Sequence, residues 1–177
     1  VRILGIDPGT IQTGFGMLME EEGTLHHLGS GVIRTSSRAP IAHRLKKIYS
    51  ELDRAIVRYR PDEISLENIF VAHNVRSALK LGHARGVAIL AAVNRGLEVF
   101  EYTPAEVKKA LTGSGRAEKE QVRYMVQMLL GLKELPGPCD VSDALALAIC
   151  HSHCAKGRPS FQTENSRERR NVPGIRS

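Results

Sequence analysis

Residues 1–16, VRILGIDPGTIQTGFG, decide how the rest of the chain is read. Ile3, Leu4 and Ile6 mark the end of a buried strand, which runs into Asp7 before Pro8 and Gly9 turn the chain. A carboxylate in that position is partly desolvated, which is costly unless something positive sits against it. Asp-Pro-Gly is a turn in its own right, since Pro presets φ, Gly supplies φ > 0 and Asp bonds the backbone two residues on. Alternatively, Asp7 is a metal ligand on a strand and the Gly-rich turn lets a phosphate backbone come close. The stretch alone does not separate these readings, so the other carboxylates decide.

Outward from it, alternation and β-branched content predict strands at about residues 1–7, 13–19 and 25–34, with EEEG (20–23) turning between the last two. Within 39–59, Ile41, Leu45, Ile48, Leu52, Ala55 and Ile56 recur at helical spacing, and Pro61 closes the segment. DEISLEN (62–68) reads as a short strand, 74–95 as a long helix, LEVFEY (97–102) as a fifth strand, and 104–111, 118–130 and 140–155 as helices. Three strands followed by alternating helix and strand predict an α/β fold, a five-stranded mixed sheet flanked by helices. In the 74–95 helix, Gly82 and Gly86 join Ala78, Ala88, Ala91 and Ala92. Such small residues admit another backbone, either the chain's own sheet or a second subunit.

At 177 residues the chain can bury a full core without disulfides or structural metal. No apolar run is long enough to span a bilayer and the sequence enters a strand directly rather than through a leader, so a soluble cytoplasmic protein is expected, with no membrane partner. Three cysteines argue against a disulfide framework. Cys150 and Cys154 flank His151 and His153, but no second ligand pair stands at zinc spacing, and the preceding ALALAIC reads as a buried helix. The formal net charge is +6, of which residues 157–177 carry +3, five arginines against Glu164 and Glu168. A basic tail rich in Ser, Asn, Pro and Arg does not fold by itself. Residues 1–156 are therefore expected to form the folded domain and 157–177 a disordered basic tail. The basic excess fits a nucleic-acid partner and fits a plain soluble protein as well.

Within EISLEN (63–68), Ile64 and Leu66 face one side and Ser65 and Glu67 the other, so a second carboxylate ends a buried strand. Were the two strands neighbours, Asp7 and Glu67 would meet, repel and raise one pKa unless a divalent cation held them. CDVSDALALAIC (139–150) adds Asp140 and Asp143, three apart at a helix start. Capping and the helix dipole explain acids there. Yet no polar residue occurs from Ala144 to Cys150, so the helix is deeply buried and carries Asp143 inward, which capping does not require. Four carboxylates on two strand ends and one helix start suit Mg²⁺ or Mn²⁺ rather than zinc. Two such ions ~3.5–4 Å apart activate water and stabilise the leaving 3′ oxygen of a phosphodiester. Arg116 and Lys119 follow GSG (113–115) at the approach to a helix N-terminus, a good phosphate site. Lys108 by itself reads as a solvated helix face, and Arg76 and Arg85 are weaker DNA-binding candidates.

The segments GIDPGTIQTGFG (5–16), LENIFVAHNVRSALKLGHARGVAILAAVN (66–94), VFEYTPAEVKKALTGSGRAEKEQV (99–122) and DVSDALALAICHSH (140–153) resemble the RuvC family of bacterial Holliday junction resolvases. The resemblance spans about residues 1–155 and implies a ribonuclease H-like fold, a homodimer, and metal-dependent nicking of four-way junction DNA beside the RuvA–RuvB branch-migration motor. It places the family's acidic tetrad on Asp7, Glu67, Asp140 and Asp143, with two Mg²⁺ ions and Mn²⁺ as a substitute. Some members carry histidine at the position of Asp140. It also places basic residues near the scissile phosphate at Lys108 and Lys119, and an aromatic that stacks on a base at the opened junction at Phe70. Other nucleases of the ribonuclease H type, a non-catalytic junction binder and an actin-like ATPase are the competing readings. The last lacks a second phosphate loop and the length for a second lobe.

Overall fold

The structure is a computed structural model and describes residues 1–68 and 75–155, without the side chain of Arg76. Its elements are β1 (Arg2–Asp7), β2 (Gln12–Glu21), β3 (Thr24–Arg34), α1 (Ile41–Tyr59), β4 (Glu63–Glu67), α2 (Val75–Val93), β5 (Glu98–Tyr102), α3 (Pro104–Thr112), α4 (Lys119–Leu129) and α5 (Cys139–Ala155). The strands form one sheet in the order β3-β2-β1-β4-β5, antiparallel through β3, β2 and β1 and parallel through β1, β4 and β5. The strand that opens the chain is thus central, with β4 as its parallel neighbour and Ile6 opposite Leu66.

Strand alternation assigns the two faces. Leu4, Ile6, Ile64 and Leu66 are fully buried with Ile48, Leu52 and Ile56 of α1 and the alanines of α2. Ile3 joins Leu145 and Ile149 in a second core on the α5 side. Helix α5 reaches the sheet backbone itself because β1 and β2 offer glycines. A Cβ on Gly5 would strike the Ala144 carbonyl oxygen, and one on Gly14 the carbonyl oxygen of Asp140.

The element boundaries carry local causes. Pairing of β2 with β3 continues to Glu21 opposite Thr24, so the turn is only Glu22-Gly23, both at positive φ, 51° and 83°. Two left-handed residues match the strand twist and allow a tighter hairpin than EEEG suggested. Pro40 precedes the first helical residue of α1, and Arg60, left-handed at φ 50°, returns its N–H to the Ile56 carbonyl at the other end. Thr103 and Glu106 close a capping box on α3, worth ~1 kcal/mol.

On α2 the small residues divide. Ala84, Ala88, Ala91 and Ala92 are buried against the fold, whereas a Cβ built on Gly82 or Gly86 meets nothing within 4 Å. The outward surface of this helix also exposes Leu79, Leu90 and Val93, each by more than half. Cys150 is buried in α5, where burial and then neighbouring Cys154 push its thiol up. Among the described residues no helix is long and apolar enough to cross a membrane.

Candidate active site

Gly5 sits against α5 while Leu4 and Ile6 point the other way, so Asp7, two residues past Gly5, extends on the α5 side where β1 ends. The same alternation sends Ser65 and Glu67 of β4 to that side, because Ile64 and Leu66 enter the opposite core. Parallel pairing of Ile6 with Leu66 then sets the two carboxylates at adjacent strand ends. The contact between Gly14 and Asp140 lays the first turn of α5 over these ends, with Asp140 on that turn and Asp143 three residues further along the helix. Three elements thereby deliver four acids to one end of the sheet.

The acids feel one another. Burial pushes the Asp7 carboxyl from 3.8 up to about 8, reinforced by Glu67, then Asp143, then Asp140. Glu67 is also raised, by burial first and Asp143 second. The ammonium of Lys119, at the start of α4, opposes both shifts without overcoming them. Its Nζ donates to Asp143 Oδ2 at 2.8 Å, and this bond holds the lysine above its ordinary value. The positive partner that Asp7 demanded is therefore present but insufficient.

Hard carboxylate oxygens, with the Asp7 carboxyl pushed up by burial first and by its neighbours second, suit a small divalent cation. Among the described residues no three such side chains converge on one point as a finished cage. Asp143 is instead turned onto Lys119. Joining a cation would mean exchanging that ammonium.

The remaining candidates are placed unevenly. Arg116 is exposed just before α4 and Lys108 is half-buried on α3; neither forms an ion pair among the described residues. Arg85 is engaged with Glu101 of β5, so that weaker candidate already has a partner. Phe70 lies outside the described residues, as does the side chain of Arg76.

Sequence reading missed a set of residues that hold the turn after Asp7. Thr13 Oγ1 donates to the Gly9 carbonyl at 2.7 Å, and Thr35 Oγ1 donates to the Thr10 carbonyl at 2.5 Å. Arg44, 7% exposed, donates from Nε to that same Thr10 carbonyl at 3.0 Å. The available signal was an arginine on the apolar face of α1, four residues before Ile48.

A family model described as crossover junction endodeoxyribonuclease RuvC matches residues 3–151. A relative of that name from Syntrophotalea carbinolica is 56% identical over 87% of this chain and 95% of its own length. One from Alkaliphilus oremlandii is 50% identical over 90% and 98%. Among solved structures, Thermus thermophilus RuvC in complex with a Holliday junction substrate superposes with a TM-score of 0.84 at 36% identity, covering 88% of this chain and 94% of that one. A yeast mitochondrial Holliday junction resolvase, 11% identical with a TM-score of 0.59 over 85% and 78% of the two chains, shares the fold alone. RuvC of T. thermophilus gives the sheet and helices described above their class, ribonuclease H-like. The family model covers both strand-end acids and the whole helix-start pair, and on that match this chain belongs to the RuvC family of crossover junction endodeoxyribonucleases.

Proposed function

We propose that this chain is a metal-dependent endonuclease that resolves four-way DNA junctions by paired symmetric nicks, with Asp7, Glu67, Asp140 and Asp143 holding two Mg²⁺ ions and Mn²⁺ as a substitute. The observation that carries the reading is the gathering of four acids from β1, β4 and α5 at one end of the sheet, where burial and then the other three push the Asp7 carboxyl up to about 8. A single ammonium does not balance that cluster. When bound, such cations supply an activated water and neutralise charge on the leaving 3′ oxygen. The protein's own groups do the remaining work. Lys119 releases Asp143 and turns its ammonium to the scissile phosphate, while Lys108, Arg116 and Arg76 bind flanking phosphates. Phe70 stacks on a base at the opened crossover, where an aromatic contact is worth ~1–3 kcal/mol and tolerates sequence.

Cutting two strands at related positions calls for two copies of the site, which a two-fold homodimer supplies. The exposed Leu79, Leu90 and Val93 of α2, beside the open Gly82 and Gly86, support that helix as part of the interface. The family resemblance supports the RuvA–RuvB motor as partner and a cytoplasmic location. In this reading residues 1–156 are the nuclease domain, and the basic tail, 157–177, adds non-specific affinity for phosphate.

One gel tests the activity: a four-way junction, a linear duplex and an RNA–DNA hybrid, each with and without Mg²⁺. Junction cleavage that needs Mg²⁺, with the other substrates intact, is the expected result. Preferential cutting of the hybrid would transfer the site to a ribonuclease.

A further inference from the structure

Residues 34–60 hold eight basic side chains against Glu51 and Asp53, a balance of +6 that equals the formal charge of the whole chain. Both acids are already engaged, Asp53 by Arg95 and Glu51 by Arg54. Arg34, Lys47 and Arg58 have no acidic partner among the described residues. These three cations rim an open groove of about 550 Å³ between α1 and β3. The groove has a different character inside. Phe15, Ala55 and Tyr59 line it, the two rings 6.4 Å apart and tilted by 50°. Arg58 is held over the Tyr59 ring, 5.2 Å from its centroid, which fixes a charge beside the apolar floor. One wall is β3, which is at the edge of the sheet among the described residues.

The groove also lies apart from the acids. Phe15 packs with the core on the α1 side of the sheet, whereas Asp7 and Glu67 extend on the α5 side. An occupant of the groove would therefore leave the carboxylates open to DNA.

We propose that this groove docks an extended acidic segment of a partner protein, one in which aspartates or glutamates alternate with aromatic or aliphatic residues. Alternation sends successive side chains of a strand to opposite sides, so the apolar set faces the floor while the acidic set stays at the mouth, within reach of the long side chains of the rim. The free edge of β3 offers main-chain hydrogen bonds to the same segment. A duplex phosphate backbone would satisfy the rim but leave the rings of Phe15 and Tyr59 without a use. Charge complementarity together with the apolar floor selects the peptide.

The test uses the full chain and two fluorescent nine-residue peptides, one alternating Asp with Phe and one alternating Lys with Phe, read by anisotropy at physiological ionic strength. The acidic peptide is expected to bind in the micromolar range and the basic one at least tenfold more weakly. Reversing the rim with Lys47→Glu and Arg58→Glu should weaken the acidic peptide at least tenfold, with junction cleavage unchanged. Lys47→Gln with Arg58→Gln serves if the reversed protein fails to fold, and should weaken binding severalfold. Equal affinity for the two peptides overturns the proposal, as does acidic-peptide binding that ignores the rim variants. Loss of junction affinity in those variants, or displacement of the peptide by a single-stranded oligonucleotide, would also overturn it by giving the groove to nucleic acid. The cleavage assay stands apart from the peptide assay, so failure of the resolvase reading and failure of this one are distinguishable.

Discussion

Lys119 Nζ stands 2.8 Å from Asp143 Oδ2 and lowers the titration of both Asp7 and Glu67 from α4, across the cluster from their strands. A lysine in that place is the protein's own counter-charge, and it has one ammonium to set against four acids. Removing a member of the cluster should therefore affect catalysis and charge balance in opposite senses. Asp7→Asn, Glu67→Gln and Asp143→Asn are each expected to abolish cleavage while leaving junction binding intact or tighter, since a negative charge facing phosphate is lost. Lys119→Met should slow single-turnover cleavage by ~10²–10³, the usual loss for one charge-stabilising donor, with a much smaller change in junction affinity. An Asp7→Asn protein that cuts near the wild-type rate would overturn the site.

The raised Asp7 carboxyl makes the metal-free protein sensitive to pH. Its folded value is about 8 against 3.8 as the ordinary value. Between those values the unfolded chain has lost the proton while the folded one retains it, so stability falls as pH rises through that window and is flat above it. The shift corresponds to ~6 kcal/mol at most, because Lys119 and water adjust around the ionised form. In EDTA the melting temperature should drop between pH 5 and pH 8, and Asp7→Asn should remove most of the slope. Adding Mg²⁺ should flatten it in the wild type. A slope identical in wild type and Asp7→Asn would place its origin elsewhere.

Arg44 is expected to act through the turn that follows Asp7. Its guanidinium, with Thr35, holds the Thr10 carbonyl. Arg44→Met keeps the aliphatic bulk and leaves that carbonyl with one donor fewer, at a cost of ~1–3 kcal/mol for the buried group. Thermal unfolding should show that loss. Cleavage should fall in kcat with little change in junction affinity, and Arg44→Lys should restore part of both. A stability loss with unchanged kcat would make Arg44 structural only.

The dimer is tested on α2. Leu90→Glu, at an exposed position, should leave a folded protein that sediments as a monomer. On a supercoiled cruciform plasmid the wild type should yield linear product directly, while the variant accumulates nicked circles. A wild type that is monomeric at working concentration and gives only nicked circles would fail the resolvase reading.

Much of the site was legible because its signals are local. Asp7 and Glu67 each end a short apolar run, and strand alternation alone orients them relative to Ile6 and Leu66. Asp143 was legible from the unbroken apolar helix behind it. What alternation does not reveal is which strands are neighbours, and the β1–β4 pairing is a long-range choice made by packing. Arg44 and Thr35 escaped for a related reason, since their target, a backbone carbonyl at Thr10, leaves no trace in residue type. The turn of EEEG was drawn too wide because positive φ at Glu22, a non-glycine residue, is uncommon. Family resemblance, rather than residue physics, separated junction cutting from other nuclease chemistry.

Helix α5 is keyed to the sheet where atoms are missing, at Gly5 and Gly14, and is held there by the core side chains beside them and by His151, which hydrogen-bonds Tyr102 and Glu63. The acids are consequently carried on two rigid bodies whose separation is a backbone distance, and one added methyl group at either glycine would lever the bodies apart. Such a lesion would touch no carboxylate and need not unfold the protein. A screen for lost activity would thus register two kinds of silence, deleted ligands and an opened seam, and the second could not be repaired by trimming a side chain of α5, because the atoms met most closely across the seam are main-chain atoms.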